Sequence, residues 1–180
     1  MQDPALLPVY PLAVFNQLTP GLYLVTGPRG AGKTSWCAAL VADARAAEKA
    51  VGGILCPAIF ENGVKTGISL EDLQTGERRR LGSRNPAPDL DFRIGRWHCD
   101  SRVLQWGNDI LQHATDTDLT IIDELGPLEL TQGHGFQAGV RLLDQGTYRL
   151  ACAVIRPELL AGALVRWPAA RVIELTGGAA

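Results

Sequence analysis

The chain has 180 residues, 46% of them apolar and 20% charged, with a net charge of -2 and a pI near 5.9. This balance excludes a disordered or fibrous chain, leaves enough length to bury a core without disulfide or metal staples, and removes the positive field of a dedicated nucleic-acid binder. The four cysteines, Cys37, Cys56, Cys99 and Cys152, lie far apart with no CxxC pair. The histidines, His98, His113 and His134, show no ligand spacing, so no zinc site or disulfide framework is expected. The start, Met1-Gln2-Asp3-Pro4, lacks the basic patch and apolar run of a signal peptide, and no stretch approaches the roughly 18 apolar residues that span a bilayer. A cytoplasmic protein is expected.

From Leu22 to Gly27 a short apolar run ends in glycine, the pattern of a buried parallel strand entering a tight loop. After Lys33, the residues Cys37, Leu40, Val41 and Ala44 recur at helical spacing in an alanine-rich stretch, and Gly52 with Gly53 is expected to stop that helix. Two strand-like runs, 54–59 and 64–70, flank Asn62-Gly63, the strongest short hairpin signal, and a second turn at Thr75-Gly76 leads into 77–81. A small antiparallel meander is therefore predicted at about 54–97, with a polar loop around Pro86 and Pro88 and one more strand near 91–97. Asp100 or Ser101 caps a helix with Val103, Leu104, Gly107, Ile110 and Leu111 on its apolar positions. Leu119 to Asp123 reads as a second buried strand, and Phe136, Val140 and Leu143 mark a helix ended by Gly146. Strand, short helix and strand follow at 149–155, 158–164 and 171–175. Strands alternating with helices imply an α/β fold with a mainly parallel sheet flanked by helices. No repeat or linker divides the chain, so residues 1–180 are expected to form one domain.

Gly27-Pro28-Arg29-Gly30-Ala31-Gly32-Lys33-Thr34 fits G-x-x-x-x-G-K-[ST] at every fixed position, between a predicted strand and a predicted helix. Gly27, Gly30 and Gly32 let consecutive amides approach phosphate oxygens, and the helix N-terminus adds its partial positive charge; Ser35 extends that set. Lys33 is expected to reach the β- and γ-phosphates as a point charge, and the Thr34 hydroxyl to bind Mg2+. A nucleoside triphosphate is the expected ligand.

Asp123 ends an apolar strand at the carboxyl edge of the sheet, where open α/β folds bind ligands, and fits a Mg2+ role. Glu124 faces the nucleotide only if the strand ends at Asp123, since neighbouring strand residues point to opposite faces. Gly126-Pro127 is consistent with that ending. Beside the γ-phosphate, Glu124 would orient or deprotonate the attacking water. Arg156, at a strand end, is the first choice for the arginine that meets charge developing on the γ-phosphate, ahead of Arg29 and Arg141. The basic run Arg78, Arg79 and Arg80, with Arg84, reads as a solvated hairpin face, open also to a protein partner or an acidic product. The tryptophans read as packing, with Trp97, which follows the meander, the one with a claim on a ligand.

With their surroundings, these residues resemble the small P-loop nucleoside-triphosphatase family first known from thermophiles, which has a human cancer-related member. The likeness covers 21–176: the phosphate loop, Gly53-Ile54-Leu55-Cys56-Pro57, the meander through Asp72-Leu73-Gln74-Thr75-Gly76-Glu77, and above all Ile122-Asp123-Glu124-Leu125-Gly126-Pro127-Leu128-Glu129-Leu130. The resemblance implies a RecA-like core with an additional strand and a catalytic glutamate. It further implies Mg2+-dependent hydrolysis of ATP, GTP and other nucleoside triphosphates to diphosphate and phosphate. On that analogy Lys33, Glu124 and Arg156 are catalytic, Glu124 is the base, and Glu129 is a family residue without an assigned role. The chain departs from the pattern at Pro57-Ala58, where relatives tend to be acidic. It departs again at Ile155-Arg156, where many have His-Arg, and after Thr176, where relatives often continue with an Asn-Arg segment. Two other readings stand beside hydrolysis: a kinase passing the phosphate to a nucleotide, nucleoside or polynucleotide hydroxyl, and a slow nucleotide-dependent switch acting on a partner. A monomer is expected.

Overall fold

The computed structural model describes residues 14–176. The chain start weighed above for a leader lies outside them, as does the tail after Thr176. The core begins with β1 (Gly21–Thr26), followed through the glycine loop by α1 (Lys33–Ala46) and by β2 (Val51–Leu55). After the meander come α2 (Ser101–Gln112), β8 (Leu119–Leu125), α3 (Pro127–Leu130), α4 (Gln137–Gln145), β9 (Leu150–Ile155), α5 (Leu160–Arg166) and β10 (Arg171–Glu174). The meander itself holds β3 (Ala58–Glu61), β4 (Val64–Asp72), β5 (Arg78–Ser83), β6 (Phe92–Ile94) and β7 (Trp97–Cys99).

Among the described residues, ten strands join one sheet in the order β10-β1-β9-β8-β2-β4-β5-β7-β6, with β3 paired to β4. The first five are parallel and the rest antiparallel. The strand β9 lies between β1 and β8, which is the additional strand of a RecA-like core. Period-two alternation sorts the side chains: Leu22 and Leu24 face the layer of α2, α4 and α5, while Tyr23 and Val25 face α1. Leu24, Ile121, Ile122 and Ile155 are fully buried, each burial contributing about 1.5–3 kcal/mol.

The helix α1 buries Trp36, Cys37, Leu40, Val41 and Ala44, as the spacing predicts, but stops earlier than expected. Glu48 turns the chain with a positive φ of 56°, and Gly52 and Gly53 sit inside β2. Their purpose is close approach: a Cβ on Gly53 would stand 2.0 Å from the Ile121 carbonyl oxygen of β8, and φ there is 92°. The predicted run 54–59 is likewise two strands broken at Cys56-Pro57. Ile54 and Leu55 belong to the parallel core, and the antiparallel insertion spans Ala58 to Cys99 rather than 54–97.

The hairpin at Asn62-Gly63 forms as predicted, with φ of 50° and 75°. The region 91–97 contains a second hairpin, β6–β7 turning at Gly95, where one strand was expected. Asp100 caps α2 by accepting from the Arg102 N–H at 2.9 Å. Gly107 lets α2 close on α4, since a Cβ there would meet the Phe136 ring at 2.6 Å.

Candidate active site

The loop from Gly27 to Thr34 lies at the carboxyl edge of the parallel strands. Gly27, Gly30 and Gly32 all have positive φ, and a Cβ on Gly27 would collide with the Leu175 carbonyl after β10. Pro28, Arg29 and Gly30 are exposed, as is Ser35 in the first turn of α1, while Ala31, Gly32, Lys33 and Thr34 are half-buried. The Ala31 N–H donates to Pro28 O at 3.1 Å, closing the turn. Lys33 folds back over its own loop, donating from Nζ to Gly27 O at 2.8 Å and to Pro28 O at 3.0 Å.

Asp123 is buried at 2% exposure beneath this loop. Its Oδ2 accepts the Cys56 N–H at 3.1 Å, and the Thr34 hydroxyl is its other neighbour. Desolvation outweighs these donors and pushes its pKa up to about 6. A buried carboxylate with so few partners, facing a threonine hydroxyl, is a hard-oxygen site that suits a small divalent cation. Among the described residues no three acidic, histidine or cysteine side chains form a self-sufficient metal cluster. Such a cation would take its remaining ligands from phosphates and water, which is the habit of Mg2+.

The expectation that β8 ends at Asp123 is corrected here: the strand runs on to Leu125. The register with β9 jumps from Ile122↔Ala153 to Leu125↔Ile155, so Asp123 and Glu124 together oppose Val154. That bulge re-aims the side chains without ending the strand. The peptide between the two acids is cis. Glu124 emerges half-buried, and its Oε1 accepts from Arg156 Nε at 2.5 Å. Arg156, directly after β9, is thus brought to the acidic pair. Arg141 points elsewhere, exposed on α4.

Glu129 gains a structural explanation that its sequence position does not supply. Its Oε2 accepts the Gly126 N–H at 2.8 Å and its Oε1 the Phe136 N–H at 3.1 Å, pinning α3 to the start of α4. Burial raises its pKa. Two further residues carry no sequence signal. Thr26, at the end of β1, keeps a buried hydroxyl without a partner. Burial, and after it the charge of Arg29, holds the ammonium of half-buried Lys65 on β4 below its ordinary pKa.

The basic cluster is largely neutralised. Arg78 pairs with Glu71 at 2.7 Å, Arg79 with Glu77 at 2.8 Å and Arg80 with Asp89 at 2.9 Å, and Arg79 also stacks on Trp106 at 4.1 Å. A cavity of about 520 Å³ opens at the far end of the parallel strands, lined by Arg45, Lys49, His113 and Asp116 among others. It has neither the glycine loop nor the acidic pair. No helix among the described residues is long and apolar enough to cross a membrane.

A glycine loop feeding a helix, an acidic pair on the third core strand and an extra strand between them define a P-loop α/β protein of the RecA-like type. Residues 22–176 match the family model described as NTPase, and the chain belongs to that family. It is 33% identical over 128 residues to nucleoside-triphosphatase THEP1 of Methanopyrus kandleri, covering 69% of this chain and 68% of that protein. Among solved structures it resembles THEP1 of Aquifex aeolicus, with a TM-score of 0.65 and 22% identity over 87% of this chain and 90% of that one. It also resembles a human cancer-related nucleoside triphosphatase, with a TM-score of 0.64 and 20% identity over 87% and 88%.

Proposed function

We propose that this chain hydrolyses nucleoside triphosphates to diphosphate and phosphate, with Mg2+. The observation that carries the reading is the bulge that sets buried Asp123 beside Thr34 while turning Glu124 out to Arg156. The names of the relatives support it. The cysteines Cys37, Cys56, Cys99 and Cys152 are all free thiols, which suits a reducing cytoplasm.

The amides of 27–34 and the start of α1 hold the phosphates. Lys33 leaves its carbonyl partners for the β- and γ-oxygens, exchanging neutral acceptors for charged ones. Thr34 and Asp123 would hold Mg2+, which would supply positive charge against the charge that develops on the transferring phosphate. Glu124 accepts a proton from the attacking water as the new P–O bond forms and the bond to the β-bridging oxygen breaks, releasing the diphosphate. The Glu124–Arg156 pair is the resting arrangement. An arriving triphosphate draws Arg156 from carboxylate to phosphate, freeing the base and supplying a cation to the γ-phosphate in one movement.

The test is phosphate release from each nucleoside triphosphate with Mg2+, with and without acceptor hydroxyls. Release without acceptor, lost in Lys33→Ala, supports hydrolysis, whereas product formed only with an acceptor would make the chain a kinase. The ion pair that holds Glu124 at rest also favours a second reading, a slow nucleotide switch. Tight triphosphate binding with negligible turnover would select that reading.

A further inference from the structure

The meander carries an aromatic and basic row across its strands, centred on Trp97 of β7. Lys65 Nζ lies 5.4 Å from the centroid of the Trp97 ring, and the guanidinium carbons of Arg84 and Arg96 lie at 5.8 Å and 5.6 Å. Lys65 comes from β4, Arg84 from the residue after β5 and Arg96 from the β6–β7 turn, so three parts of the meander meet at one indole. Register extends the row in both directions. Phe60 of β3 stands opposite Lys65 and Ile94 of β6 opposite Trp97, and directly paired residues of antiparallel strands share a face. The strands run in the order β3, β4, β5, β7, β6, so at about 4.8 Å between neighbours the row spans on the order of 19 Å.

The positive charge in this row is uncompensated. Among the described residues no carboxylate stands within ion-pair distance of Lys65, Arg84 or Arg96, whereas Arg78, Arg79 and Arg80 on β5 are each paired. Arg84 and Arg96 are exposed, and Lys65, Ile94 and Trp97 are half-buried. Phe60 is 63% exposed, an apolar ring left in water at one end of the row. A protein of net charge -2 therefore concentrates three free cations on one small face, between a phenyl ring and an isoleucine.

Charge and shape together select the occupant. A second copy related by a two-fold axis would set these cations against themselves. A single-stranded nucleic acid needs bare aromatic faces on which bases stack, and here the indole already carries cations. An anionic lipid surface would meet the exposed carboxylate of Glu61 beside Phe60. An extended acidic peptide meets none of these objections, since its carboxylates engage the outer edges of the cations and its apolar residues cover the two ends. We propose that the Phe60–Ile94 row is a docking surface for an acidic segment of a partner protein, about six residues long, with an apolar side chain at each end.

The probe is a fluorescein-labelled peptide with four glutamates between two leucines, titrated with the protein at 0.15 M salt and read by fluorescence anisotropy. Lys65→Gln, Arg84→Gln and Arg96→Gln together are expected to weaken binding about 10-fold or more, the combined weight of three exposed charge pairs. Phe60→Ser is expected to weaken it about 3- to 10-fold through the lost apolar contact. Arg78→Gln, Arg79→Gln and Arg80→Gln together remove the same net charge from guanidiniums that are already paired. That control should change binding by less than about 2-fold, because the screening length is about 8 Å at this salt. Melting temperatures establish that each variant is folded. Equal losses in the two triple variants, or no measurable binding by the wild type, would overturn the proposal. So would tighter wild-type binding to an oligothymidylate or to phosphatidylserine vesicles than to the peptide.

Discussion

Arg156 donates from Nε to Glu124 Oε1 at 2.5 Å, joining the residue after β9 to the bulged end of β8. The contact lies at half-exposed side chains, 50% for Arg156 and 35% for Glu124, so its weight in stability is small and its meaning is positional. If Glu124 is the base, Glu124→Gln keeps the hydrogen bond and removes the proton acceptor. Phosphate release should fall about 10²- to 10⁴-fold in kcat with little change in KM. A variant retaining more than a tenth of wild-type kcat would remove Glu124 from the chemistry.

Arg156→Ala separates anchoring from transition-state stabilisation. We expect kcat to fall about 10³-fold and the affinity for the diphosphate product to stay within a few-fold. A loss confined to KM would make Arg156 a ground-state contact only.

Asp123 gives the pH dependence its sign. Its folded pKa of about 6 is above the ordinary value of 3.8, so its stabilising contribution is full below pH 3.8 and disappears as pH rises through 6. At pH 7.5, in metal-free buffer, Asp123→Asn should therefore be the more stable protein, by about 1–3 kcal/mol. The gap should narrow as pH falls towards 5. Thermal melts at the two pH values check the sign, and added Mg2+ with nucleotide should raise the wild-type melting temperature but not that of the variant.

Two glycines with similar φ should respond differently to alanine. Gly53 (φ 92°) has the Ile121 carbonyl 2.0 Å from its virtual Cβ, whereas Gly76 (φ 78°) faces open space. Gly53→Ala should destabilise the fold by about 3 kcal/mol or more through backbone collision. Gly76→Ala should cost only the left-handed penalty of about 1–2 kcal/mol. Denaturant titration of both variants measures the contrast.

The core strands and the phosphate loop are legible from residue patterns because each is a local matter: a short apolar run, glycines where amides must crowd an anion, helical spacing after Lys33. What misleads is also local. Gly52 and Gly53 look like a helix stop because a glycine pair commonly is one, and only the tertiary neighbours reveal that Gly53 makes room for the β8 backbone and Gly52 for the Thr117 side chain. The run 54–59 looks like one strand because its apolar residues continue across Cys56-Pro57, although its halves serve different parts of the sheet.

By itself, the sequence determined the glycine loop at Gly27–Thr34, the acidic residues at 123 and 124, and an α/β order of elements, since loop chemistry and side-chain period act over a few residues. Tertiary structure decided how those pieces meet. The β8 bulge is defined only by pairing with β9, and the Glu124–Arg156 contact spans 32 positions of chain. Such relations depend on which strands become neighbours, a result of burying both faces of the sheet at once, and no window of sequence contains them.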